Sequence, residues 1–157
     1  MTNAGVDARR AWSSVADQLI CPIIFPTRRL RLLALLLSST LVFMLFYLGT
    51  KPLPGGMFSH PWDKAVHYLF FGGLAGMFWV MWGGTRIADL MAVAMTLSVG
   101  IADEWTQAYN PARSSSLGDL TFDLLGALTA VLVLSRLRHT ITKGRPLTGQ
   151  ATQAAHP

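Results

Sequence analysis

Charge is what this chain has least of. Only 13% of its 157 residues are Asp, Glu, Lys or Arg, against about a quarter in an ordinary soluble domain. Apolar residues make up 52%, and mean hydropathy is +0.41. A chain so poor in charge has too little polar surface for water on all sides, so an integral membrane protein is expected. Cysteine is nearly absent too: Cys21 stands alone, which excludes an internal disulfide or a Cys-built metal knuckle. There is no Gly-rich phosphate loop, no H-E-x-x-H and no serine in a recognisable nucleophile setting; the run Ser114, Ser115, Ser116 reads as loop. No cofactor or metal site is expected from these patterns. The net charge of +5 would suit nucleic acid. The basic residues flank apolar runs, however, and do not alternate with aromatics on a surface, so nucleic acid is not an expected partner. The length leaves room for one membrane unit and no separate soluble enzyme domain.

What the chain has in quantity is long apolar runs. Residues 1–29 are polar and mixed, with Arg9, Arg10, Arg28 and Arg29 and a patch, LICPIIF, too short to span. They lack the layout of a cleaved signal peptide and read as a cytoplasmic segment. Leu30 to Gly49 is almost wholly apolar, about the 20 residues that cross the hydrocarbon core as a helix. Lys51, Pro52, Pro54, Gly55 and Gly56 end it, because Pro removes a backbone donor and Gly adds freedom. Further spans are expected over Ala65–Trp82, Ile87–Trp105 and Leu120–Leu137. Gly72 and Gly76 in the second have the small-xxx-small spacing that lets helix backbones approach in lipid. Residues 138–157 have no apolar period and are expected to be a disordered cytoplasmic tail. The predicted fold is therefore all-α, with four transmembrane helices over residues 30–137.

Orientation follows from the basic residues, which concentrate on the cytoplasmic side. With both termini inside, ten of the thirteen Lys and Arg are cytoplasmic, and only Lys51, Lys64 and Arg113 fall outside. This topology predicts a multi-pass protein of the inner membrane. It also gathers Asp63, Lys64, His67, Asp103, Glu104, Gln107, Arg113, Asp119 and Asp123 at the outer face. At the inner face Asp89 is the lone acid, and Arg86 is its expected partner.

Ionisable groups at a bilayer edge cost free energy unless they pair or reach water, so a cluster of them is a candidate site. Their spacing puts them on shared helix faces: Asp63 with His67, Asp103 with Gln107 and Asp119 with Asp123 are each four apart. Asp123 then lies about 6 Å deeper than Asp119. The segment AYNPARSSSLG closes the third and fourth spans into a hairpin, with Ser116 or Asp119 as its cap and Arg113 over the cluster. Each group also has a structural reading. Asp63 and Asp119 complement helix dipoles, and Glu104, Gln107 and Arg113 could clamp the hairpin. Trp62, Trp82 and Trp105 read as an interfacial aromatic belt.

Four motifs in order, Asp63-Lys64-x-x-His67, Glu104-x-x-Gln107, Pro111-x-Arg113 and Asp119-x-x-x-Asp123-x-x-Gly126, resemble the VanZ-like family of small bacterial membrane proteins. The resemblance covers roughly Pro61 to Leu134, and the chain departs from the family pattern in having Asp123 where Asn is common. It implies a role in the cell envelope of the kind linked to resistance to the glycopeptide teicoplanin. The partners it implies are the lipid bilayer and a lipid-linked cell-wall precursor or glycopeptide. An acid/base enzyme is one reading of the cluster: Glu104 or Asp63 as general acid or base, with His67 as proton partner. Lys64, Gln107, Arg113, Asp119 and Asp123 are the candidate substrate-binding residues, with Lys64 and Arg113 holding an anionic group. A noncatalytic protein that binds an envelope molecule through the same polar mouth is the other. A transporter ranks third, since no ionisable residue bridges the middle of the bundle.

Overall fold

A computed structural model of the chain describes residues 21–51, 62–109 and 116–144. These residues are helical, with no strand among them. After a helical turn at 21–24, four helices follow: α1 Arg28–Gly49, α2 Trp62–Met81, α3 Arg86–Ala108 and α4 Leu117–Gly144. Sequence chemistry sets their ends. Thr27 and Thr85 cap α1 and α3 by accepting the N–H groups of Leu30 and Ala88, which otherwise lack intrahelical partners. The Ser116 hydroxyl accepts the Gly118 N–H at the start of α4, so the serine and not Asp119 is the cap. Gly83 and Gly84 stop α2 with φ of 80° and 64°, left-handed values that side chains resist.

The expected tail is where the structure departs from the sequence reading. Residues 138–144 continue α4 as helix. Arg138 is tied down by Asp89, and Ile141 packs against the core, so the helix is extended by tertiary contacts that no apolar period announces. Residues 1–20 and 145–157, the rest of the two predicted terminal segments, lie outside the described residues.

The most extensive helix contact is between α2 and α4, and α3 packs against both; α1 lies alongside, mainly on α2. Phe71, Leu74, Ala75, Phe78, Trp79, Ala127 and Val131 form the apolar centre, with Ile24 from the first turn. Along α3 the buried positions Ala88, Ala92, Thr96 and Gly100 recur every four residues, a stripe of small side chains that brings the helix close to its neighbours. Gly72 of α2 packs closely, backbone to backbone, against Gly126 of α4. A methyl group at Gly72 would sit 3.2 Å from the Gly126 carbonyl oxygen, and one at Gly126 would strike the Tyr68 carbonyl. Gly72 thus serves the close packing that its spacing suggests, but its counterpart is Gly126; Gly76 only reaches the Leu134 side chain.

Apolar side chains cover the outside of the bundle as well as its centre, and polar ones lie buried at one end. Leu36, Leu69, Leu90 and Leu117 are exposed, whereas Asp103, Gln107, Asp119 and Asp123 are buried. Two helices, Arg28–Gly49 and Leu117–Lys143, are long and apolar enough to cross a membrane. The other two, of 20 and 23 residues, supply most of the polar side chains that meet at one end of the bundle.

Candidate functional site

The first turns of α2 and α4 and the last turns of α3 come together at the same end, and each brings polar side chains spaced on one face. Asp123 occupies the centre. It is 1% exposed, and its Oδ1 lies 2.9 Å from Nδ1 of His67 on α2. Two helices far apart in sequence are thereby joined by a buried acid–imidazole pair. The His67 ring stacks on Phe71, interplanar angle 8°, which fixes its plane. Asp123 Oδ2 points at Gly100: a methyl group there would be 2.9 Å from that oxygen. Glycine at this point of α3 is what gives the carboxylate its room. Oδ2 has no hydrogen-bond partner among the described residues.

Around the pair, one turn nearer the helix ends, Lys64 Nζ stands 3.9 Å from Asp119 Oδ1 and 5.4 Å from the centre of the Phe122 ring. At 3.9 Å this is a loose ion pair of modest worth. Glu104 accepts the Ser116 N–H through Oε2 at 2.7 Å, so the carboxylate closes the α3–α4 hairpin through the chain itself. Its Oε1 is buried and without a partner among the described residues. Gln107 donates to Asp103 Oδ2 at 2.7 Å, the contact that their four-residue spacing allows. Asp63 is half-buried in the first turn of α2, where a carboxylate complements the helix dipole.

Arg113, expected over the cluster and against Glu104, lies outside the described residues. Among the described residues no three His, Cys, Asp or Glu side chains are grouped as they would be to hold a metal ion. Beside the polar groups runs an apolar groove of about 510 Å³, lined by Trp62, Lys64, Ala65, Tyr68, Leu69 and Phe122. A second of about 310 Å³ has Glu104 in its wall together with Trp105, Ser116, Leu117 and Leu120. Both are open grooves whose walls include charged site residues.

The opposite end holds a polar centre that sequence reasoning misjudged. Asp89 does not pair with Arg86. Its Oδ2 meets Arg138 at 2.9 Å, and its Oδ1 accepts from Trp79 Nε1 and Ser135 Oγ, both at 2.6 Å. Arg138 also donates to the Gly84 carbonyl at 2.7 Å and lies 5.7 Å from the centre of the buried Trp79 ring. Arg86 is nearest to Asp89 in sequence but sits on an exposed part of the helix. Ser135 and Arg138, three apart on α4, share the face that Asp89 meets, and that spacing was the available signal.

Comparison of the chain with protein-family models, with curated proteins and with solved structures yields no match.

Proposed function

We propose that the chain is a VanZ-like, four-span protein of the bacterial inner membrane, with both termini cytoplasmic and its polar site at the outer face. There it engages a lipid-linked cell-wall precursor or a glycopeptide and so alters susceptibility to teicoplanin. The observation that carries this reading is the site's unused capacity. Asp123 Oδ2 and Glu104 Oε1 are buried acceptors with no partner among the described residues, at an end where charged side chains border grooves lined by Trp62, Tyr68 and Trp105. Buried acceptors normally find partners, and an amide or hydroxyl of an envelope molecule would supply the missing donors. The grooves beside them suit an apolar carrier chain.

The acid/base enzyme is the second reading, favoured by one contact. A carboxylate on Nδ1 of His67 holds the ring in the tautomer that leaves Nε2 free to accept a proton. In that reading Glu104 or Asp63 is the partner acid or base, and Lys64 and Arg113 bind an anionic group.

The test is the minimal inhibitory concentration of teicoplanin for a susceptible bacterium expressing the chain, its Glu104→Gln variant or its His67→Gln variant. Expression of the unaltered chain raises the concentration, and Glu104→Gln abolishes the effect while keeping an acceptor for the Ser116 N–H. Unchanged susceptibility with the unaltered chain present in the membrane would refute the envelope role. Loss with Glu104→Gln but not with His67→Gln would favour binding over proton transfer.

A further inference from the structure

The end of the bundle away from the polar site carries a second feature that the proposed function does not use. A cleft of about 480 Å³ lies there between α3 and α4, lined by Arg86, Ser135, Arg136, Arg138, His139 and Thr142. Three guanidinium groups thus surround one space, and the carboxylate beside it, Asp89, is already taken by Arg138. Arg138 is committed further through the Gly84 carbonyl. Arg86 and Arg136 differ: both are exposed, and neither guanidinium makes a hydrogen bond or ion pair among the described residues. The start of α3 at Arg86 adds the positive end of its dipole.

Arg136 has a second role in the geometry. It also lines a groove of about 370 Å³ formed with Leu132, Val133, Leu137 and Thr140 along α4. Basic cleft and apolar groove meet at this one side chain. A soluble anion would use the first and leave the second empty, whereas an amphiphile with a phosphate at its head uses both. Guanidinium groups match phosphate oxygens in a bidentate fork, and basic pockets between spanning helices suit anionic head groups. We infer that this cleft binds an anionic glycerophospholipid, its phosphate held by Arg86 and Arg136 and one acyl chain laid along Leu132, Val133 and Leu137. The inference needs the chain to cross a membrane but does not depend on which end faces the cytoplasm or on what the polar site binds.

Native mass spectrometry of the full chain, titrated with phosphatidylglycerol, phosphatidylcholine or glycerol 3-phosphate, tests it. Two arginines at a membrane surface give a preference for phosphatidylglycerol over phosphatidylcholine on the order of ten-fold. The double variant R86Q/R136Q should lose that preference while keeping its unfolding temperature, since neither side chain has a partner to lose among the described residues. Val133→Trp, which fills the groove, should weaken phosphatidylglycerol and leave any weak glycerol 3-phosphate binding as it was. Equal binding of the two lipids by the unaltered chain would overturn the inference, and so would a preference that survives R86Q/R136Q. Displacement of phosphatidylglycerol by equimolar glycerol 3-phosphate would show a site for phosphate alone and overturn the lipid assignment.

Discussion

Replacing Asp123 is the most direct test of how the site is held together. Asp123→Ala removes the only partner that His67 Nδ1 has among the described residues and leaves a polar nitrogen facing apolar Phe71. Breaking a fully buried pair from one side costs about 3–5 kcal/mol; the His67 side chain is 16% exposed, so about 3 kcal/mol is the expected loss. Asp123→Asn is gentler. Its amide oxygen can still accept from Nδ1, but the amide nitrogen then occupies the niche beside Gly100 with no acceptor, at a cost of about 1–3 kcal/mol. Removing both partners in favour of similar volume, as His67→Phe with Asp123→Leu, eliminates the unpaired groups and should come within about 1 kcal/mol of the unaltered chain. Equilibrium unfolding in mixed micelles measures all of these, and His67→Phe and Asp123→Leu made singly complete a cycle with their double. A coupling energy of about 2 kcal/mol is expected for residues in direct contact. Coupling near zero, together with a loss under about 0.5 kcal/mol for Asp123→Ala, would refute the buried pair.

Three further outcomes follow from the geometry. Glu104→Gln keeps an acceptor for the Ser116 N–H but puts its amide nitrogen in the buried place of Oε1, which has no partner among the described residues, so it should cost about 1–3 kcal/mol, and Glu104→Ala, which unpairs that N–H, a similar amount, both read from the same unfolding curves. Gly126→Ala forces a methyl group against the Tyr68 carbonyl and must separate α2 from α4; a loss of more than about 3 kcal/mol is expected, beyond ordinary overpacking, and a fully stable variant would contradict the close approach. For the proposed topology, in a Cys21→Ser background, a thiol introduced by Ser115→Cys should react with an impermeant reagent in intact cells and one from Gly144→Cys only after permeabilisation; the reverse pattern would put the polar site in the cytoplasm.

Much of this architecture was legible because it rests on periodicity. The apolar runs locate all four helices to within a few residues at most ends, and four-residue spacing correctly groups Asp103 with Gln107 and puts Asp123 a turn below Asp119. What spacing cannot supply is the partner across helices. Asp123 could be placed in depth but not assigned to His67, 56 residues away, and so Asp123→Asn looks harmless until the niche at Gly100 is seen. The extension of α4 to Gly144 escaped for the same reason: residues 138–144 are mostly polar by composition, and the contacts of Arg138 with Asp89 and of Ile141 with the core explain their order. Gly100 and Gly126 read as helix-weakening residues in the sequence alone. Their use, room for a carboxylate and room for a backbone, exists only between helices.

The two polar centres of the bundle use the same chemistry to opposite effect. Around Asp89 every acceptor is engaged: a tryptophan, a serine and an arginine share its two oxygens, and the arginine is secured again by the Gly84 carbonyl. A network satisfied in this way rigidifies the fold, here by clamping the end of α2, the start of α3 and the last turns of α4. At the other end Lys64 and Asp119 are held loosely at 3.9 Å, while Asp123 and Glu104 each keep one buried oxygen without a partner among the described residues. An acceptor left so costs about 1–3 kcal/mol, more when charged, and a bundle selected for stability alone would have carried an apolar side chain in place of Asp123 or a donor for its Oδ2. Strain of this kind is tolerated where a bound molecule relieves it, and that argues for placing function at the end with spare acceptors and structure at the end with none.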